Sequence, residues 1–252
     1  MTINKTNEGK ADIIIFKNMT LKEIVTNNFR TAAVFEKYGL DFCCRGNKLI
    51  TTACEEKGIN AIKILEELKT LTIQKIRDER YDEWTLDFLI DYIIQNHHSY
   101  VKEMLPIISL HTQKIASVHG TNHPEVIEIA KKFAGVAQEF RQHLIKEEDI
   151  LFPYIKQLVQ VNSRHAKAEA PFFGTVKNPI KSMMAEHENA GDEFYEIRNL
   201  SSSYTPPEDA CNKFIAAYQE LKDFEEDLHK HVHLENNILF PKAIELEKRL
   251  LS

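Results

Sequence analysis

His143-Leu-Ile-Lys-Glu147-Glu-Asp-Ile-Leu-Phe-Pro153 and His231-Val-His-Leu-Glu235-Asn-Asn-Ile-Leu-Phe-Pro241 are two copies of one pattern, H-x-x-x-E-x-x-I-L-F-P. Every matched residue is offset by 88 positions, as His143 is from His231. A helix sets residues i and i+4 on one face, so each copy offers an imidazole beside a carboxylate. Two such pairs facing each other make a metal cage. A third H-x-x-x-E, His165 to Glu169, lacks the I-L-F-P tail, falls between helical stretches and reads as coincidence.

Each copy is preceded by a stretch with a candidate partner histidine. His98 precedes His143 by 45 residues, and His187 lies 44 residues from both His143 and His231. One histidine per helix at near-constant spacing is what a site at one level of an up-down bundle requires. The apolar period predicts helices over about 85–110, 124–160, 177–200 and 208–250, separated by Gly- and Pro-containing loops. The expected fold is all-α, with an antiparallel four-helix bundle whose helix pair has been duplicated.

Helical phase at 100° per residue sorts the candidates. Phe133, Val136, Phe140 and Leu144 share a face with His143 and Glu147, whereas Glu148 points away and reads as a surface charge. Leu221, Phe224, Leu228 and Val232 form the stripe that holds His231 and Glu235. His229 and His233 fall outside it and are expected at the surface. Ile180, Met183, Met184 and Phe194 bracket His187. In the first helix Ile90, Ile94, Val101 and Leu105 put His97 near the middle of the stripe and His98 at its edge, so phase alone slightly favours His97, and the repeat spacing does not decide between them. Glu139 and Glu186 read either as solvent-facing acids or as groups that orient the ligands.

Four imidazoles and two carboxylates in one core need a metal, because buried ionisable groups are costly unless paired or bound. The set is too large for one tetrahedral zinc and lacks thiolates. Two metals, each with two histidines and sharing two carboxylates, fit iron well. Manganese or zinc could enter the same site. The net charge of −6 and pI near 6.0 argue against nucleic acid or an anionic membrane as partner. No long apolar run or leader pattern stands near the start, so a cytoplasmic location is expected.

Upstream, residues 1–78 read as a small helical domain, with residues 79–252 forming the bundle. Residues 1–12 are polar and expected to fray, and the charged run 75–83 is the expected linker. Thr20 is a plausible N-cap for a helix to about Tyr38, with Glu23 at N3 and Gly39 as C-cap. Thr51–Lys57 and Asn60–Leu71 read as two further short helices. Four cysteines are too sparse for a disulfide scaffold. Cys54 and Cys211 read as structural. The adjacent Cys43 and Cys44 read as small buried hydrophobes, as a strained and easily reduced disulfide, or as thiolates that take up iron, nitric oxide or sulfur or engage a partner protein.

H…H-x-x-x-E…H…H-x-x-x-E on four helices resembles the hemerythrin-like di-iron domain. Tyr38-Gly39-Leu40-Asp41-Phe42-Cys43-Cys44, together with the His231–Pro241 ending, resembles the repair-of-iron-centres (ScdA-like) family of iron–sulfur cluster repair proteins. The resemblance covers nearly the whole chain. It implies a ligand set of His98, His143, Glu147, His187, His231 and Glu235, choosing His98 because the family's ligand precedes a proline, here Pro106, by eight residues. It implies two non-haem iron ions with an oxo or hydroxo bridge, in a cytoplasmic, stress-induced homodimer. The implied role is restoring iron–sulfur clusters damaged by nitric oxide or oxidative stress, with damaged iron–sulfur proteins as targets and NO or O₂ as small ligands. A di-iron enzyme that reduces NO, and an O₂ or NO sensor or store, are the alternatives.

Overall fold

The computed structural model describes residues 16–43, 45–73 and 81–251. The fraying expected for residues 1–12, Cys44 and most of the expected linker lie outside the described residues. The chain divides into two compact units, residues 1–84 and 85–252.

The first unit is built on α1 (Leu21–Asn27), α2 (Ala32–Lys37), α3 (Ile50–Glu56) and α4 (Ala61–Ile73). Thr20 caps α1 in a capping box with Glu23. The single helix expected to Tyr38 is instead broken at Asn28, whose backbone is extended and whose side chain accepts from Arg30 N at 3.0 Å. Asparagine offers the backbone this local alternative and so starts a fresh 3-10 turn, Phe29–Thr31. Gly39 adopts φ +63° at the end of α2. A Cβ at Gly46 would lie 2.1 Å from the Phe42 carbonyl oxygen, so the loop closes this tightly only with glycine there. The closed loop lets Leu21 and Lys22 donate to Lys48 and Gly46 carbonyls. Leu21, Ile24, Phe35, Phe42, Ile50, Leu65 and Leu68 form the core beneath.

The second unit is an antiparallel four-helix bundle. Its first helix is α5 (Leu86–Tyr92), a π turn (Ile93–His98) and α6 (Ser99–His119). The second is α7 (Glu125–Lys146), a π turn (Glu147–Leu151) and α8 (Phe152–Ser163). The third is α9 (Lys177–Leu200), and the fourth is α10 (Asn212–His233), a π turn (Leu234–Leu239) and α11 (Phe240–Leu251). Helix α7 packs on α6 and α9, and α10 packs on α6.

The two motif copies explain their own π turns. Each turn ends two residues before Pro153 or Pro241. A helical proline lacks an N–H and its ring crowds the carbonyl four residues back, so the helix widens there. Above the site, Phe224 stacks on Phe194 at 5.6 Å and meets the edges of Phe133 and Phe140 at 5.7 and 6.4 Å. These rings from α7, α9 and α10 fix the spacing of the helices that carry the site. Phe224→Ala is expected to cost about 3–5 kcal/mol in urea unfolding. A cost below about 1 kcal/mol would mean that this aromatic layer is not what spaces the helices.

Candidate metal centre

His98, His143, Glu147, His187, His231 and Glu235 come together in the bundle core, each no more than 2% exposed. The cluster has two halves. His98, His231, Glu147 and Glu235 bring one donor atom each within 4.8 Å of one another, and so do His143, His187, Glu147 and Glu235. Both carboxylates belong to both halves. Nε2 of His98 lies 3.1 Å from Nε2 of His231, and Nε2 of His187 lies 3.0 Å from Nε2 of His143. Glu147 Oε2 sits 3.4 Å from His98 Nε2 and 3.3 Å from His143 Nε2. Glu235 divides its oxygens, with Oε1 3.0 Å from His231 and Oε2 3.2 Å from His187.

The π turn resolves the first helix. Its extra residue separates Ile93 from the next inward position, so His98 falls in phase with Val101, Leu105 and Ile108. His98 faces the cluster. His97 is buried beside it, with Nδ1 2.8 Å from Asp227 Oδ1, and its ring stacks on His231 at 5.6 Å.

The outer shell is made across helices. Glu148 accepts from His98 Nδ1 at 2.8 Å and from Lys102 Nζ at 2.7 Å, which corrects its reading as a surface charge. It is the second residue of the widened turn Glu147–Leu151 and is thereby aimed at the neighbouring helix. Glu186 accepts from His143 Nδ1 at 2.9 Å and from Lys146 at 2.7 Å. Asn236 Oδ1 accepts from His187 Nδ1 at 3.0 Å. Glu139 is exposed on α7. His233, expected at the surface, is buried and accepts from Asn237 Nδ2 at 2.8 Å, because the π turn that follows it draws the whole segment 231–240 into the core. His229 is half-buried, with Nε2 4.0 Å from the Glu225 carboxylate.

The tail of the motif has a purpose that phase analysis did not reveal. Phe152 stacks on His98 at 5.5 Å and Phe240 stacks on His187 at 6.2 Å. The repeated phenylalanine thus covers the histidine of the partner helix and keeps water off it. The identical I-L-F-P tails were the sequence signal for this.

Electrostatics without a bound cation favour charged groups here. Burial alone would lower the His98 and His143 pKa values, but Glu147, with Glu235 on His98 and Glu186 on His143, overcomes it and raises them to about 9 and about 10. Hydrogen bonding from His143 holds Glu186 at about 2. Burial lowers His231. Glu147 and Glu235 stay below the ordinary carboxylate range despite burial, because imidazoles surround them. Even so, both Glu147 oxygens and Glu235 Oε2 are buried with no hydrogen-bond partner among the described residues. Buried carboxylate oxygens left this way, beside four imidazole nitrogens, fit a pair of bridged metal ions. Glu148→Gln and Glu186→Gln are each expected to weaken metal affinity about 10–100-fold in competitive chelator titrations. Unchanged affinity would show that these carboxylates do not act through the histidines.

In the first unit, Asp41 Oδ1 accepts from both the backbone N–H and the thiol of Cys43, at 3.0 and 3.3 Å. Cys43 is buried, and Cys54 is fully buried with its thiol pKa raised by burial. Cys211, expected to be structural, is exposed at the N-cap of α10, with Sγ 3.3 Å from His119 Nε2. Among the described residues, no helix is long and apolar enough to cross a membrane.

Comparison with known proteins agrees with this geometry. The hemerythrin HHE cation binding domain matches residues 89–243, and ScdA_N, a domain of unknown function (DUF542), matches residues 17–72. A probable iron–sulfur cluster repair protein of Haemophilus influenzae is 33% identical over 91% of this chain and 98% of its own length. The iron–sulfur cluster repair proteins YtfE of Yersinia pestis and Yersinia pseudotuberculosis are 31% identical over 91% of this chain and 98% of theirs. A buried cage of shared carboxylates inside a matching HHE domain, with full-length similarity on both sides of it, places the chain in the family of ScdA-type iron–sulfur cluster repair proteins.

Proposed function

We propose that this protein repairs iron–sulfur clusters damaged by nitric oxide or oxidative stress, handing iron from a non-haem di-iron centre to the damaged cluster. The observation that carries the reading is the sharing of Glu147 and Glu235 between two histidine pairs. His98 and His231 would hold one ion and His143 and His187 the other, with Glu147 and Glu235 serving both positions. Iron held there would supply a transferable ferrous ion and reactivity towards small oxidants such as NO or O₂.

The protein's own groups support release as well as binding. Glu147 and Glu235 would keep two such ions together, since each belongs to both halves of the cluster. Glu148 and Glu186, each tied to a lysine, hold His98 and His143 in orientation. The carboxylates facing His98 and His143 favour the protonated imidazoles, so these two residues can hold protons beside Glu147 in place of a cation. Phe152 and Phe240 limit water at the imidazoles.

The test is anaerobic incubation of the iron-loaded protein with a hydratase whose [4Fe–4S] cluster has been damaged by NO. Recovery of hydratase activity with matching loss of iron from this protein is expected. No recovery, with iron loading verified beforehand, would overturn the proposal.

A further inference from the structure

The duplicated helix pair relates His98 to His187, His143 to His231 and Glu147 to Glu235, and the outer shell follows the same relation. Glu148 and Asn236 both follow a shared glutamate, and each accepts from the histidine on the other helix of its pair. Phe152 and Phe240 stack on those same two histidines. The relation breaks at one place. Glu186, immediately before His187, accepts the Nδ1 proton of His143. The corresponding residue, immediately before His98, is His97. It gives His231 a stacked ring at 5.6 Å and 12°, not an acceptor. Nδ1 of His231 is buried and meets no hydrogen-bond partner among the described residues.

We infer that the two metal positions are unequal, and that the ion held by His98 and His231 is the one given up first. The inference rests on the di-iron reading above. An acceptor on the far nitrogen of a ligand histidine fixes the ring and strengthens it as a donor, and removing one such partner typically weakens metal binding 10–100-fold. The position between His143 and His187 has two such acceptors, Glu186 and Asn236. Among the described residues, the position between His98 and His231 has only Glu148. The carboxylates Glu147 and Glu235 are common to both and cancel in the comparison. A second feature points the same way. His98 is carried on a π turn, whereas His143 and His187 sit in continuous α-helix. A π turn is a local departure from regular helical hydrogen bonding and holds its side chains on a less uniform frame.

The experiment uses the full-length iron-loaded protein. A ferrous chelator is added anaerobically and release is followed by absorbance. After the first equivalent has left, the protein is refilled with Zn²⁺ and crystallised. Anomalous diffraction at the iron and zinc edges then locates each metal. The expected result is biphasic release, the first phase about 10–100-fold faster than the second. Zinc is expected between His98 and His231, with iron retained between His143 and His187. His97→Gln, which places an amide acceptor where the other half carries Glu186, is expected to slow the first phase about 10-fold or more. Single-phase release, or zinc found between His143 and His187, would overturn the inference and leave the repair reading standing. Failure to bind iron at either position would overturn both. Failure of iron to reach a damaged cluster, with the two positions still unequal, would count against repair alone.

Discussion

Glu147→Gln is expected to disable both halves of the centre at once, taking bound iron from about two ions per chain to fewer than one. The substitution preserves volume, so packing is not the cause. It removes one of the two carboxylates that the cluster holds among the described residues, and that carboxylate lies 3.4 Å from His98 Nε2 and 3.3 Å from His143 Nε2. A carboxamide oxygen carries no net charge and bridges two cations poorly. The metal-free protein should suffer as well. His98 and His143 owe their raised pKa values largely to Glu147, and breaking a buried charge pair by removing one partner costs about 3–5 kcal/mol. Metal analysis and urea unfolding of the metal-free variant check the two halves of this expectation. His187→Ala should act on one half only. Full metal content in Glu147→Gln would exclude the shared-carboxylate arrangement.

The second large effect is on protons. With no cation bound, His98 titrates near 9 and His143 near 10, so both are protonated at pH 7. Only neutral imidazole binds metal. Loading at pH 7 should therefore release about two protons per chain, measurable in weakly buffered solution with an indicator dye. Apparent affinity should climb as pH rises from 7 towards 10. The stability of the metal-free protein should move the other way. A histidine whose folded pKa is raised contributes stability that is complete below its unfolded value near 6.5 and is lost as pH rises through the folded value. The metal-free fold should therefore weaken between about pH 6.5 and pH 10. Glu186 acts with the opposite sign at the acid end: its contribution is present above the ordinary glutamate range and disappears as pH falls towards 2. Proton release near zero at pH 7 would contradict the reading of both histidines.

The bundle was legible because period, motif duplication and loop breakers all agreed; each of the four predicted segments overlaps one observed helix, although the first helix runs on to His119, nine residues past its predicted end at 110. The centre was legible where its residues obey helix spacing, as His143 with Glu147 and His231 with Glu235 do. It was obscure wherever the helix departs from 100° per residue. The π turn at Ile93–His98 inserts one residue into the stripe, so ideal phase pointed to His97 although His98 faces the cluster. The turns after His143 and His231 likewise aimed Glu148 at a neighbouring helix and drew His233 inside. Glu186 and Asn236 were harder still. Each sits beside a cluster residue on its own helix yet serves a histidine on another, and sequence adjacency carries no record of that. Glu139 and Glu186 were indistinguishable as surface or supporting acids for the same reason. Only the helix packing separates them.

Crystals of the iron-loaded protein, measured at the iron absorption edge, test the central claim most directly. Two anomalous peaks are expected inside the bundle, one between His98 and His231 and one between His143 and His187, with Glu147 and Glu235 contacting both. A single peak, or two peaks that share neither carboxylate, would contradict it.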